Sequence, residues 1–556
     1  MPPATPLPNP FYYLDNFEFV LDWLRARYPD LLSPDEHGFM REFACLPRPS
    51  RALLVRMVMR KGRLFRADRL AYPEIGDPVA ASAPLISAGW VEHDPAVRID
   101  ELFGLYTRAE LTPTFGAQLA SAGLARAAKQ AQMDHLLARC PETQPVSLWF
   151  GAERENPAYR LQITDLCDRY RLMFFGNLRQ DWTEFILAEL GLYVYEQVDF
   201  PPSSRAFQLR TDIDDYLGLH RCTELLETDA EDDAVNEAMA AIPASPFQNP
   251  WLESRRARLL FRAGRHHERR HQWDAAASCY ERSSHAEARA RHVRVLERQA
   301  RFKDATRLAL DALAAPADEA EIQQLQRMLP RLLRRCGMPP DQPAARLEVE
   351  RLDLTLAQGP CPSRVEAEVL QHLWQDDAPV FYVENSLVNG LFGLLCWEAV
   401  FAPVPAAFFH PFQAAPADLL RPGFHVRRKA LFDACFSQLD DGRYRDTIRK
   451  NFRDKAGVQC SFLNWQALDE ALMELALACI PPEHLSRLFN RLLGDIRGNR
   501  SGLPDLIQFW PAEQRYRMIE VKGPGDRLQD NQRRWIAYCR EHGIPVSVCH
   551  VRRPAS

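Results

Sequence analysis

The chain lacks a run of sequence able to cross a membrane as a helix, a cysteine cluster at zinc-binding spacing, and any strong overall charge. The longest apolar stretch, Leu391 to Phe409, is broken by Glu398, Pro403 and Pro405, which argues against a membrane span. The opening residues, Met1-Pro2-Pro3-Ala4-Thr5-Pro6, have no basic segment leading into an apolar one, so no secretory leader is expected. Thirteen cysteines are dispersed along the chain and the closest two are Cys539 and Cys549, so no CxxC or Cys/His set has zinc-site spacing. Free thiols in a reducing cytoplasm are expected instead.

A net charge of −5 would by itself point away from nucleic acid, but the charge is unevenly spread. Residues 211–240 carry net −9, whereas 251–310 carry net +8, and 421–455 and 497–556 each carry net +5. Basic surface is therefore local, and part of it adjoins the acidic motif described below. At 556 residues the chain exceeds one hydrophobic core, so about three or four domains are expected. With 46% hydrophobic and 26% charged residues it belongs with globular chains and not with disordered ones.

Between Leu53 and Val91 the basic helix Leu54 to Lys61 and the turn Ala88-Gly89 before Trp90-Val91 suggest a winged-helix arrangement. From Arg98 to about Leu137, helices bearing Leu102, Leu105, Leu111 and Leu119 fit either a helix-extended-helix unit or a plain bundle. Residues 150–365 read as nearly all helical. Within them Trp273, Ala276 and Tyr280 recur 29 residues later as Phe302, Ala305 and Ala309, and small residues there let paired helices approach closely. This predicts degenerate helical repeats with a basic face from Arg255 to Arg307. After Pro362 come a helix over 366–376, a helix led by Glu384, a basic helical insert over 421–495, and a closing hairpin, helix and strand.

The chemistry concentrates in that closing segment. Gly502 to Trp510 reads as a turn and short apolar strand, and Arg515 to Lys522 as the returning strand. In such a hairpin Asp505 lies beside Glu520, and strand alternation puts Glu520 and Lys522 on one face with Val521 on the other. Phosphodiester hydrolysis needs an activated water and stabilisation of charge on the phosphoryl and leaving oxygens. A Mg2+ or Mn2+ ion held by carboxylates supplies these. Asp505 and Glu520 suit a hard cation, the Val521 carbonyl is a further candidate ligand, and Lys522 is placed to orient water or steady transition-state charge. A charged pair among Met518, Ile519 and Val521 would be costly in a central strand without a partner such as a metal.

The run Gly502-Leu503-Pro504-Asp505, Glu520-Val521-Lys522-Gly523-Pro524, Asp526-Arg527-Leu528, Asn531-Gln532 and Trp535 resembles the VRR-NUC branch of the PD-(D/E)xK nuclease superfamily. The resemblance implies an upstream glutamate on a helix completing the metal site, matched by Glu384 in Tyr382-Val383-Glu384-Asn385, and an active-site hydrogen-bonding role for Gln532. The whole chain is similar to the Fanconi-associated nuclease family, as a bacterial member. The further matches are Asn9-Pro10-Phe11-Tyr12-Tyr13-Leu14, the helical repeats, and the segment from Phe412-Gln413 to Arg427-Arg428. That similarity implies a mostly α, multidomain chain: a winged-helix-like region at 1–98, a SAP-like module at 99–150, TPR-like repeats at 151–365 and an α/β nuclease domain at 366–556. It also implies a metal-dependent nuclease acting on 5′ flaps and branched double-stranded DNA, with 5′-to-3′ exonuclease activity, in interstrand crosslink repair.

Animal members add a ubiquitin-binding zinc finger, which the cysteine spacing here does not provide. Arg497, Arg500, Arg427, Arg428 and Arg443 are the candidate phosphate-backbone contacts. A monomer is expected, with dimerisation on DNA left open. Two other readings are a Holliday-junction or restriction-type nuclease sharing only the core, and an inactive helical-repeat scaffold. Symmetrical cutting by a dimer marks the first; the intact acid-lysine set counts against the second.

Overall fold

The structure, a computed structural model, describes residues 9–151, 156–180, 182, 193–227, 231–339, 349–356, 364–421 and 423–554. The opening run Met1 to Pro6 and the change of character at Pro362 lie outside these residues. The chain divides into two compact units, Met1–Leu192 with Gln208–Ile213, and Tyr193–Phe207 with Asp214–Ser556. No helix among the described residues is long and apolar enough to cross a membrane.

In the first unit, helices Tyr12–Arg27, Pro34–Cys45 and Arg48–Val58 precede β1 (Leu64–Arg66), and helix Pro78–Ser87 precedes β2 (Val91–His93). Ser33 and Glu36 form a reciprocal cap at the start of the Pro34 helix, which fixes its first turn. A short pair, β3 (Ala96–Val97) and β4 (Gln144–Pro145), brackets helices Ile99–Leu105, Arg108–Ser121 and Lys129–Arg139, whose leucines and aromatics form their own core. One element departs from the sequence reading. β5 (Ala158–Leu161), assigned to the start of the repeat segment, lies between β1 and β2 in an antiparallel sheet, so the chain returns to the first module after passing through the second.

In the second unit, helices Pro250–Arg269, Trp273–Glu281, Ala288–Arg298, Phe302–Ala314 and Glu319–Arg335 pack successively as hairpins. Trp273 and Phe302 each open a helix, and Ala276, Ala305 and Ala309 are fully buried, as close helix approach requires. At Gly264 a Cβ would stand 2.7 Å from the Tyr280 ring, which shows how tightly the first pair meets.

A five-stranded sheet follows in the order β6-β10-β9-β8-β7, with β6 (Glu350–Thr355), β7 (Val380–Tyr382), β8 (Leu506–Trp510), β9 (Arg515–Lys522) and β10 (Val546–Arg552). β6, β10 and β9 are parallel; β8 runs antiparallel to both β9 and β7. β6 lies before residue 366, so the sheet begins earlier in the chain than the sequence boundary places it. One face packs on helix Val365–Leu373 through Ile519, Val521 and Leu506. The other carries Met518, Ile507 and Phe509 into a large core with helices Leu387–Leu395, Lys429–Asp441, Tyr444–Asp454, Glu470–Cys479, Pro482–Gly494 and Asp530–Glu541. The basic insert is thus part of this core. The last repeat helix is tied to it by Glu319 with Arg491, Gln323 with Arg534, and Arg327 with Asp530.

Candidate active site

The hairpin register pairs Leu506 with Ile519, so Asp505 enters β8 opposite Glu520 near the end of β9, the central strand. Asp505, Glu520 and Lys522 are 7%, 1% and 8% exposed. Ile519 and Val521 face the Val365 helix, so alternation sends Glu520 and Lys522 to the opposite face. Asp505 Oδ2 accepts from the Val521 amide at 2.8 Å, which locks the two strands together at the site. Lys522 Nζ lies 2.8 Å from Glu520 Oε1 as an ion pair. Glu520 Oε2 is buried without a hydrogen bond.

Burial is the main reason that the Asp505 carboxyl is pushed up to about 6; the Val521 amide opposes this, and the charges of Glu384 and Glu366 add to it. For Glu520, burial and then the Asp505 charge raise the carboxyl to about 7 against the pull of Lys522. Two acids that resist ionisation together, one with an oxygen that receives no donor, fit a bound hard cation. Among the described residues no three His, Cys, Asp or Glu side chains approach closely enough to form a complete cage.

Glu384 differs from the sequence reading. It sits in the turn between β7 and the Leu387 helix, not on a helix, and its carboxylate receives Tyr382 Oη and, at 3.2 Å, Asn385 Nδ2. It still stands near the pair, because the Val383 amide donates to the Asp505 carbonyl at 2.8 Å. Gln532 also departs: its Oε1 accepts from the Gln529 amide at 2.9 Å and closes a capping box on the Asp530 helix, which starts three residues later than it would if Asp526 were its cap. Asp526 instead accepts from the Gly523 amide.

Among the candidate phosphate contacts, Arg428 is corrected, and Arg427 keeps part of its side chain exposed. Both pair with Asp418 at 2.8 Å, and the Arg428 side chain is 0% exposed, so it is a buried strut that cannot reach DNA. Arg443 is exposed and held by Asp441. Arg497 is exposed, and Arg500 is half-buried with one guanidinium nitrogen 3.4 Å from the Ser461 carbonyl.

Three side chains escaped the sequence reading. Asn385, at φ 51°, accepts from the Leu503 amide and so joins the Glu384 turn to the Asp505 loop. Buried Asn389 donates to the Asn385 and Arg500 carbonyls at 2.7 and 2.9 Å. Glu366 stands close enough to raise Asp505. The Asn385 signal was present in sequence, since asparagine tolerates a left-handed backbone and stood directly beside the candidate acid.

Three family models match the chain: the FAN1 HTH domain over residues 11–92, the Fanconi anemia-associated nuclease SAP domain over 97–149 and the VRR-NUC domain over 439–553. The chain is 52% identical over 546 residues to the Fanconi-associated nuclease 1 homolog of Pseudomonas aeruginosa, covering 98% of this chain and 96% of that one. It is 25% identical to the Arabidopsis thaliana homolog, covering 99% and 68%, and 31% identical to human Fanconi-associated nuclease 1 over 30% and 17%. A crystal structure of paFAN1 bound to 2nt 5′flap DNA with gap superposes with a TM-score of 0.92 at 51% identity, covering 99% of this chain and 100% of that one.

Proposed function

We propose, from the premise that this chain belongs to the Fanconi-associated nuclease family and is a divalent-metal-dependent DNA nuclease, that it cuts DNA at 5′ flaps and branches. We extend the proposal to 5′-to-3′ exonucleolytic cutting in interstrand crosslink repair, with Mg2+ or Mn2+ as cofactor. One observation carries the reading: Asp505 and Glu520 are buried side by side, with Glu520 Oε2 lacking a hydrogen bond. The 5′flap DNA in the similar paFAN1 structures supports the choice of substrate.

Asp505, Glu520 and the Val521 carbonyl would hold the ion, with Glu384 joining if it leaves Tyr382. When bound, the ion lowers the pKa of a water and neutralises phosphoryl charge. Lys522, fixed by its ion pair with Glu520, presents an ammonium where transition-state charge grows. Gln532 is engaged as a helix cap, so its contribution would be to fix the first turn of the Asp530 helix. Arg497 and Arg500 flank that loop as phosphate contacts. We keep the four-part domain division as a proposal, with the nuclease part extended back to Glu350 because β6 lies in its sheet.

The test is Mg2+-dependent cleavage of an end-labelled 5′ flap by wild type and by Asp505→Ala. Loss of a direct ligand should cost more than the ~10–100-fold typical of an outer-shell partner. Unchanged cutting by the variant would refute the site.

A further inference from the structure

The helical repeats carry a second basic feature that the acid-lysine site does not use. On the Ala288 helix, Arg291, Arg294 and Arg298 recur at intervals of three and four, and on the Glu319 helix Arg327, Arg331 and Arg335 recur every four residues. Each trio therefore forms a stripe along one helix face. The two stripes line one groove of about 750 Å³, together with Ala290, Phe302 and Met328. A second hollow of about 340 Å³ shares Arg291, Arg294 and Arg298 and continues the basic lining.

The acids present do not neutralise it. Glu297 is held by Arg331 at 2.7 and 2.9 Å, Glu268 approaches Arg291 and Arg294 at 3.3 and 3.4 Å, and Arg327 pairs with Asp530. Arg298 and Arg335 are exposed and have no acidic partner among the described residues; Arg335 lies 5.6 Å from the Phe302 ring centroid. Like charges lined up along a helix repel, a cost that an anion in the groove removes. Guanidinium forks match phosphate oxygens two at a time.

The stripes run about 10–12 Å at ~1.5 Å per residue, long enough to meet more than one phosphate of a strand. A concave groove with an aromatic ring in its wall suits an unpaired strand, whose bases can stack, better than the convex side of a duplex. We propose that this groove holds the unpaired strand of the DNA substrate, with phosphates on the two arginine stripes and a base against Phe302. This rests on the reading that the substrate carries an unpaired arm.

The full chain would be titrated, in EDTA so that nothing is cut, against a fluorescent flap with a tail of about 12 thymidines and against the same nicked duplex without a tail. Arg298→Glu/Arg335→Glu breaks no ion pair described above, and Arg298→Gln/Arg335→Gln serves as a milder second variant; both should melt with wild type. The reversal is expected to weaken binding of the tailed DNA about tenfold and to reduce its log-log salt slope by about 1.4, at ~0.7 per phosphate contact. Binding of the untailed duplex should be retained.

Unchanged affinity for the tail in both variants overturns the proposal. Equal loss on both DNAs overturns it in favour of a duplex surface, and competition by oligoglutamate as strong as by oligothymidine overturns it in favour of an acidic protein. Because cutting in Mg2+ is measured separately, failure of the groove leaves the cleavage reading standing, and failure of cleavage leaves the binding result standing.

Discussion

Carboxyls that hold protons near neutrality make cation affinity a function of pH. In the unfolded chain Asp505 and Glu520 titrate near 4, whereas in the fold they are raised to about 6 and about 7. The folded state therefore binds their protons more tightly. The stability this contributes is full below about pH 4 and is lost as pH rises through 6 to 7. Metal-free protein should thus lose stability between about pH 4 and 7, and Asp505→Asn or Glu520→Gln should flatten that slope in thermal melts.

A divalent ion must displace the same protons, so its affinity should fall about tenfold per pH unit for each proton released below about pH 7. Calorimetric Mn2+ titrations at several pH values check this; a pH-independent affinity would contradict these two acids as ligands. The sequence made this pair legible because strand alternation and hairpin register are local rules. It did not reveal the role of Arg428, because a charge run looks the same whether its members meet solvent or a buried aspartate. Arg428→Ala should cost about 1–3 kcal/mol by leaving Oδ1 of the almost fully buried Asp418 without its donor, Arg427 still holding Oδ2, while leaving DNA affinity per folded molecule unchanged. Chemical denaturation and binding titrations separate the two effects.

The elements around the site show why its frame was only partly visible in sequence. β8 and β9 announce themselves through apolar runs bounded by Gly502 and the Pro511 turn. β6 does not, because Glu350-Arg351-Leu352-Asp353-Leu354-Thr355 is an edge strand with one face in water, and only its pairing with β10 defines it. β7 is three residues long and owes its existence to pairing with β8. The Glu384 segment looked helical because the apolar pattern of the Leu387 helix runs back to it. The positive φ at Asn385 ends that pattern early and leaves Glu384 in the turn.

Gly502 is the element-scale test of this frame. Its φ is 87°, and a Cβ there would stand 2.8 Å from the Asn531 side chain and 2.9 Å from the Asn531 backbone. The backbone cannot swing aside as a side chain could, so Gly502→Ala must separate the Asp505 loop from the Asp530 helix. A loss of about 1–3 kcal/mol is expected, from strain plus overpacking. Because Asp505 is three residues away, Mn2+ affinity should fall with it. A variant that melts and binds Mn2+ like wild type would show that this close approach does not hold the site.

At the scale of the whole molecule, two compact units with separate cores should respond differently to acid. The first unit is closed by a single carboxylate. Glu36 is 0% exposed and accepts from the Ser33 amide at 2.8 Å, from Arg169 at 2.7 Å and from Arg210 at 2.6 and 3.0 Å. Arg210 belongs to Gln208–Ile213, the stretch that returns to this unit after the chain has entered the other, so Glu36 joins segments far apart in sequence. Burial opposes ionisation of Glu36, but Arg210, the Ser33 amide and Arg169 outweigh it and hold the carboxyl below its ordinary range.

A lowered carboxylate contributes stability that is present above the unfolded pKa, near 4.3, and is lost as pH falls through the lower folded value. The first unit should therefore begin to melt early as pH drops below about 4. Glu36→Gln keeps the shape but removes the charge, leaving two arginines that are mostly buried without their anion, at a cost of about 3–5 kcal/mol at neutral pH. Limited proteolysis and thermal melting should then show cleavage and an early transition confined to the first unit, with Mn2+ binding by the second unit intact. Simultaneous loss of both units would mean that they unfold as one cooperative body and that Glu36 stabilises more than the unit in which it sits.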